Sequence, residues 1–156
     1  MNRRKFIINE PFREINQDDS FKRFESKLLT SCGSTLSSLH NENKDNYHVW
    51  VYDTNDILGV IAFSDRRTEF HINVVSNNFS IPENILNETN PGSSLYQILE
   101  DIAIVNGVLR ITLDSIPSRT GYWHDQFGFE LTGTPFTGKF CQLFPMAKNL
   151  DSNFSV

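Results

Sequence analysis

The sequence lacks several features that would each point to a particular class of protein. Cysteine is scarce, because only Cys32 and Cys141 occur in 156 residues, far apart and without metal-ligand spacing. A disulfide framework is therefore not expected. The scarcity of cysteine predicts a reducing, cytoplasmic environment instead. No apolar run is long enough to cross a bilayer, and none follows the basic start at Met1–Lys5. Neither membrane association nor a signal peptide is predicted.

Positive charge is also in short supply. Fourteen Lys and Arg residues stand against nineteen Asp and Glu residues, which gives a formal net charge of −5. Nucleic-acid binding requires a basic face that neutralises phosphates, so nucleic acid is not expected as a partner. His40 and His48 have no ligand spacing around them, so no metal site is predicted. The sequence also contains no Gly-rich nucleotide loop of the P-loop kind.

Apolar residues, by contrast, suffice for one globular core. They make up 38% of the chain, and thirteen Phe residues outnumber two Trp and four Tyr. This length and composition predict a single domain over residues 1–156 with a core built largely on Phe. The polar end, residues 149–156, is expected to be a loose tail.

The first half of the chain predicts a strand, a helical region and an antiparallel meander. Lys5–Asn9 is short and apolar, as is typical of a strand. Asp18–Ser20 offers side-chain acceptors for a helix start, and apolar residues follow at helical spacing as far as Gly33. The next three segments are typical of strands joined by tight turns: Tyr47–Tyr52, Leu58–Phe63 and Glu69–Val75.

The second half alternates helices and strands after a polar, irregular stretch over residues 77–90. A helix is predicted from Pro91 to Gly107, with one apolar face made by Leu95, Ile98, Leu99, Ile102 and Ala103. Val108–Leu113 is expected to be a strand buried on both faces. A short helix from Ser118 to Gln126 and the strands Phe129–Thr132 and Phe140–Met146 complete the order. The order of elements predicts a mixed α/β domain.

The segment Ser118–Phe129 carries a resemblance to a known family. It resembles the segment after the fifth strand of the GNAT superfamily of N-acetyltransferases, commonly Asn-x-Arg-Ala, an aromatic pair and Leu-Gly-Phe. The residues in register are Arg119, Trp123, Phe127, Gly128 and Phe129. The helix and strand around Gly107 and the segment Pro145–Lys148 are similar to the family's cofactor helix and to its hydrophobic-Met-x-Lys ending.

This resemblance implies a fold and an activity. The fold would be one GNAT-like domain with a central, mostly antiparallel sheet of about seven strands flanked by helices. The activity would be the transfer of an acetyl group from acetyl-CoA, as co-substrate, to a primary amine that attacks directly in a ternary complex. The net charge leaves the amine acceptor open, whether a small molecule or a protein.

The resemblance also implies where the cofactor binds, although the motif departs from the family pattern. A loop of the pattern Gln/Arg-x-x-Gly-x-Gly/Ala offers backbone N–H groups to the pyrophosphate of CoA at a helix N-terminus. In the aligned residues 87–92 only Gly92 fits, Asn90 is able to adopt a positive φ, and Pro91 has no N–H. The cofactor-binding candidates are Val74 and Val75 through their backbone, and Asn87, Asn90, Gly92, Ser93, Ser94 and Arg119.

Four residues are candidates for proton transfer. The family often has Tyr at the position of His124, where its hydroxyl protonates the leaving thiolate, and an imidazole can do the same. Tyr122, two residues earlier, is the alternative acid on a different side of the helix. Glu69 and His71 alternate along the third meander strand, and either is a candidate general base. The other interpretation is that these are ordinary surface residues.

Two further hypotheses follow from the departures. The altered loop and the absent Tyr are compatible with a catalytically inactive, CoA-sensing or protein-binding regulatory module on the same fold. Phe136, Phe140 and Phe144 belong either to the core or to a homodimer interface. Thr112–Phe129 also resembles a segment of the vicinal-oxygen-chelate metalloenzymes, but residues 130–156 are too few for the strands that this fold still requires.

Overall fold

A mixed sheet of eight strands forms the centre of the molecule. The structure is a computed structural model that describes residues 4–16, 19, 46–138 and 141–150. The strands are β1 (Phe12–Glu14), β2 (Tyr47–Asp53), β3 (Ile57–Asp65), β4 (Glu69–Asn77), β5 (Arg110–Ser115), β6 (Glu130–Leu131), β7 (Phe136–Thr137) and β8 (Gln142–Asn149). Their order is β1-β2-β3-β4-β5-β8-β6, and β7 pairs with β8. Every pairing is antiparallel except that of β4 with β5, which confirms the predicted fold class.

Three helices follow the meander: α1 (Glu83–Thr89), α2 (Pro91–Val105) and α3 (Thr120–Phe127), the last preceded by a 3-10 turn over Pro117–Arg119. α2 buries one stripe against the sheet, made by Pro91, Leu95, Tyr96, Leu99 and Ala103. The predicted apolar face of this helix is therefore confirmed, because Ile98 and Ile102 pack at its margin.

The two faces of the sheet carry separate apolar clusters. The larger one joins α2 to Trp50, Phe63, Phe70 and Phe129 among others. The smaller one, on alternate residues of β2 to β4, contains Tyr47, Val49, Val51, Val60, Ala62 and Val74. Gly59 on β3 sets the distance of α2 from the sheet, because a Cβ there would lie 2.7 Å from the Cβ of Pro91. The start of α2 is thus held directly against the strands.

Several element boundaries differ from the sequence predictions. Residues 5–9 form no strand; the first strand is β1, which pairs with β2. Residues 77–90 are not wholly irregular, since they contain α1. β5 is not buried on both faces but alternates, with Arg110 and Asp114 exposed. β8 continues to Asn149 and Leu150 is buried, so these two residues of the expected tail belong to the folded domain, and residues 151–156 lie outside the described ranges.

The helix predicted from Asp18 to Gly33 falls almost wholly on residues outside the described ranges. Among the residues that the structure does describe, no helix combines the length and apolar character needed to cross a membrane.

Candidate active site

A cleft opens where the only parallel pair of strands in the described sheet separates. β4 pairs with β5 from Glu69 to Ile72, opposite Arg110 to Leu113, and beyond that point the strands part. β4 runs on to Asn77 paired with β3 alone, and β5 runs on to Ser115 paired with β8 alone. The space between them is a cleft of about 390 Å³. One edge of β4 therefore offers backbone groups to any molecule in the cleft.

A β-bulge marks the point of separation. Ala62 pairs with Val74 and Phe63 with Ile72, so Asn73 is an extra residue in β4 that the register pairs with no residue of β3. Such a bulge bends a strand and increases its local twist. The bulge therefore coincides with the place where β4 turns away from β5.

The cleft brings together eight of the twelve candidate site residues. His71, Val74 and Val75 line it from β4, Asn90, Gly92 and Ser93 from the start of α2, and Arg119 and Tyr122 from the 3-10 turn and α3. The remaining four candidates, Glu69, Asn87, Ser94 and His124, do not line it.

His71 combines burial with two polar contacts. Its side chain is 16% exposed, its Nδ1 lies 2.7 Å from Thr112 Oγ1, and its Nε2 lies 3.6 Å from Asp114 Oδ2. Burial lowers the pKa of His71, the charge of Arg66 lowers it further, and Asp114 and Glu69 oppose both effects. The imidazole is consequently neutral near neutral pH, as a general base must be.

Glu69 is held by cations rather than presented to the cleft. Its carboxylate accepts hydrogen bonds from Arg66 (2.9 Å), Arg110 (2.7 Å) and Thr112 (3.1 Å). Burial alone would raise the pKa of Glu69, but these hydrogen bonds and the charge of Arg110 lower it overall. Glu69 is therefore a stable anion behind His71 and a weak base.

Tyr122 and His124 lie on different sides of α3, as predicted. Tyr122 lines the cleft, with its Oη 2.8 Å from Ser93 Oγ and the Arg119 guanidinium carbon 5.6 Å from its ring centroid. His124 points elsewhere: its side chain is 54% exposed and its Nδ1 lies 2.9 Å from the Phe129 carbonyl oxygen. Of the two candidate acids, Tyr122 is thus the one that lines the cleft.

The start of α2 keeps the shape of a phosphate loop but few free donors. Asn90 has φ 47° and ψ 60°, the left-handed conformation expected where the family has glycine. However, the Asn90 N–H bonds to the Leu86 carbonyl oxygen, Pro91 has no N–H, and the Gly92 N–H bonds to Asn77 Oδ1 at 2.8 Å. Among the described residues the Ser93 amide has no such partner. This amide is one of the four that a helix start leaves without an intrahelical acceptor.

Two of the remaining loop candidates serve the helices themselves. Asn87 is exposed on α1, and the Ser94 hydroxyl donates to the Thr89 carbonyl oxygen at 3.0 Å. The aligned loop is therefore largely helical.

Sequence reasoning missed three residues at this site: Asn77, Thr112 and Asp114. Thr112 and Asp114 belong to the polar alternation Arg110, Thr112, Asp114, a period-two signal that the assumption of a doubly buried strand concealed. Asn77 carries no comparable signal. In the described part of the chain, no group of three or more His, Cys, Asp or Glu residues is arranged to hold a metal ion.

Comparisons with known proteins identify the fold. No family model matches the sequence, and no curated protein matches it. A GNAT family acetyltransferase from Elizabethkingia anophelis, solved with acetyl-CoA bound, has a TM-score of 0.63 at 14% identity over 89% of this chain and 97% of its own. An aminoglycoside 6'-N-acetyltransferase from Enterococcus faecium has a TM-score of 0.59 at 14% identity, over 88% and 96%. Another aminoglycoside 6'-N-acetyltransferase, complexed with coenzyme A, has 0.58 at 13%, over 88% and 96%. The chain therefore has the GNAT fold.

Proposed function

We propose that this protein is an acyl-CoA-dependent N-acetyltransferase that transfers an acetyl group from acetyl-CoA to a primary amine by direct attack in a ternary complex. The observation that carries the proposal is the cleft between the parted ends of β4 and β5. A neutral imidazole, His71, and a phenol, Tyr122, both line this cleft beside an edge of β4 that has no second strand partner. Structural neighbours solved with acetyl-CoA or coenzyme A bound support the choice of co-substrate.

In this proposal the chain holds acetyl-CoA along β4 and at the start of α2. The backbone at Val74 and Val75 pairs with the pantetheine amides, and the Ser93 amide and the dipole of α2 face the pyrophosphate. Arg119 adds a positive charge from the opposite wall. Gly92 is suited to this place, since a Cβ there would lie 3.1 Å from Asn77 Oδ1 and would crowd the side of the helix start that the pyrophosphate is proposed to contact.

The proposed chemistry divides proton transfer between two residues. His71 takes a proton from the amine, the amine nitrogen forms a bond to the thioester carbonyl carbon, and the carbon–sulfur bond breaks. Tyr122 gives a proton to the leaving thiolate, because it lines the cleft and His124, the other candidate acid, does not. Glu69 contributes as a fixed negative charge near His71 rather than as the base.

A regulatory module without turnover is the second candidate function. It is favoured by the helical loop, because the Asn90 and Gly92 N–H groups already have acceptors and Pro91 has no N–H group. Such a module would bind CoA weakly, or would bind a protein partner instead.

Calorimetric titration with acetyl-CoA and CoA, followed by mass detection of acetylated amines from a panel, tests the proposal. We expect acetyl-CoA to bind and at least one amine to be acetylated. Tyr122→Phe should lower kcat by about 100-fold or more, the usual contribution of a general acid. Ser93→Ala is the matched control, because it removes the hydrogen bond to Tyr122 but keeps the phenol. His124→Gln is the second control, outside the cleft.

The outcomes separate the two candidates. Binding with turnover that Tyr122→Phe diminishes and Ser93→Ala largely retains supports the enzyme. Binding of CoA with no acetylation of any amine supports the module. If His124→Gln, and not Tyr122→Phe, abolished turnover, the assignment of the acid would be wrong.

A further inference from the structure

Three residues on β4 and β5 form a chain of hydrogen bonds whose direction is determined. Glu69 is ionised, because Arg66 and Arg110 both bond to it, and an ionised carboxylate can only accept. The Thr112 hydroxyl therefore donates its one hydrogen to Glu69 Oε2, 3.1 Å away. Thr112 Oγ1 then has only lone pairs for His71 Nδ1, 2.7 Å away. The Nδ1 atom must accordingly carry the proton of the neutral ring.

The consequence lies on the other side of the imidazole. With the proton on Nδ1, His71 Nε2 presents a bare lone pair, and Asp114 Oδ2 lies 3.6 Å from it. Both atoms accept hydrogen bonds and neither has a proton to share. Within the described chain Asp114 has no hydrogen bond, and its side chain is 33% exposed. Both residues line the cleft. A donor with two or more hydrogens and a positive charge is the group that would satisfy both acceptors at once.

We propose that His71 Nε2 and Asp114 form the docking point for the ammonium group of a protonated primary amine, and that Thr112 is the positioning residue that keeps His71 in the tautomer this requires. This inference rests on the proposed function and specifies its acceptor. The ammonium donates one hydrogen to Asp114 and one to His71 Nε2. Transfer of the latter proton to Nε2 gives an imidazolium and a neutral amine, whose lone pair then attacks the thioester carbon. The carbon–sulfur bond breaks, the leaving thiolate takes a proton from Tyr122, and the second proton that the nitrogen loses on becoming an amide passes through solvent to restore Tyr122. The imidazolium returns its proton to solvent after acetylation.

The charged groups around His71 agree with this role. Asp114 and Glu69 favour the imidazolium that forms, and Arg66 opposes it. Arg66 and Arg110 are both paired with Glu69, so Asp114 is the carboxylate left for the substrate. A neutral amine or an alcohol would gain less at this point, since charge-assisted hydrogen bonds are about twice as strong as neutral ones.

Nitrogen-15 NMR of the histidine-labelled protein tests the tautomer without any need for catalysis. His71→Gln identifies the resonances of His71 among those of the four histidines. We expect the ligand-free protein to show an Nδ1–H tautomer at His71. Thr112→Val, which lacks the hydroxyl, should lose this preference, and Thr112→Ser should restore it. An Nε2–H tautomer in the unsubstituted protein, or an unchanged spectrum in Thr112→Val, would overturn the proposal.

Titration with butylammonium ion, with 1-butanol as its neutral counterpart, tests the docking point. Butylammonium should shift the His71 Nε2 resonance and 1-butanol should not. Asp114→Asn should lower the affinity for butylammonium, read from this titration, by about tenfold, the contribution of one charge-assisted hydrogen bond. Equal responses to both probes, or an ammonium response that Asp114→Asn leaves unchanged, would refute the docking point. These NMR measurements need no acetyl-CoA. They therefore decide the docking point even if the protein fails to acetylate any amine.

Discussion

At the scale of single residues, the side chain of Asn77 competes with the ligand that the start of α2 is proposed to hold. Its Oδ1 accepts the Gly92 N–H at 2.8 Å, which is the position a phosphate oxygen would take at a helix N-terminus. The same hydrogen bond caps α2 from the end of β4. This one hydrogen bond therefore stabilises α2 in the ligand-free protein and competes with the binding of a phosphate at the same N–H group.

Substitutions of Asn77 should change affinity in opposite directions. Asn77→Ala frees the Gly92 amide, so acetyl-CoA should bind up to about fivefold more tightly, the equivalent of one hydrogen bond of roughly 1 kcal/mol. The ligand-free protein should lose stability by about 1 kcal/mol, as when a helix cap is removed. Asn77→Asp keeps an acceptor and adds a negative charge, so it should weaken binding. Calorimetric titration of both variants is the measurement, and weaker binding by both would indicate instead that Asn77 contacts the cofactor.

At the scale of elements, residues 4–9 are attached to the sheet by side chains instead of by strand pairing. The Phe6 ring lies 5.0–6.3 Å from the rings of His48, Trp50, Phe63 and Phe70. Ile7, the next residue, is 88% exposed. The apolar run that resembles a strand is therefore anchored by the Phe6 ring, with Ile8 partly buried against the same core and Ile7 between them exposed.

This anchor predicts unequal effects of two adjacent truncations. Phe6→Ala should lower the free energy of unfolding by about 2–3 kcal/mol, below the range for fully buried Phe because the residue is half-buried. Ile7→Ala should change it by less than about 0.5 kcal/mol. Urea unfolding followed by tryptophan fluorescence gives both values, since Trp50 is buried next to Phe6. Similar losses in the two variants would show that the ring contacts of Phe6 do not anchor this segment.

Elements with a regular apolar period could be predicted from the sequence, and those without one could not. The apolar stripe of α2 and the alternation of β4 show the period of their burial directly, and β2 and β3 are short apolar runs buried almost throughout. α1 buries only Leu86, so its seven residues carry no periodic signal. At the site, the sequence offered His124 or Tyr122 as the acid and Glu69 or His71 as the base, and it did not distinguish the members of each pair. The contact of His71 with Thr112 spans 41 positions and depends on the register of β4 with β5, which local patterns do not encode.

At the scale of the whole molecule, one buried ion pair ties the first described residues to the far end of β3. Arg4 donates to both carboxylate oxygens of Asp65 at 2.7 and 2.6 Å, and the Asp65 side chain is only 3% exposed. Burial alone would raise the pKa of Asp65, but the hydrogen bonds from Arg4 and from the Arg67 backbone, with the charge of Arg4, lower it overall. The folded state therefore binds a proton at Asp65 less readily than the unfolded state does.

This difference makes global stability depend on pH in a defined direction. Because the folded pKa is the lower one, the pair contributes fully above the unfolded pKa of about 3.9 and its contribution is lost as pH falls through the folded value. Arg4→Gln leaves the carboxylate buried and unpaired, and should cost about 2–3 kcal/mol near neutral pH, less than for a fully buried pair because Arg4 is partly exposed. Lys5→Gln, at an exposed neighbour, should have almost no effect.

Urea unfolding of the three proteins across the acid range measures the dependence. The gap in unfolding free energy between the unsubstituted protein and Arg4→Gln should be widest near neutral pH and should narrow at acid pH, where Asp65 becomes protonated in both states. Contacts of Arg4 with the Phe6 and Phe70 rings do not titrate, so a small constant difference should remain. A gap that kept its full size at acid pH would assign the stabilisation to those ring contacts and not to the ion pair.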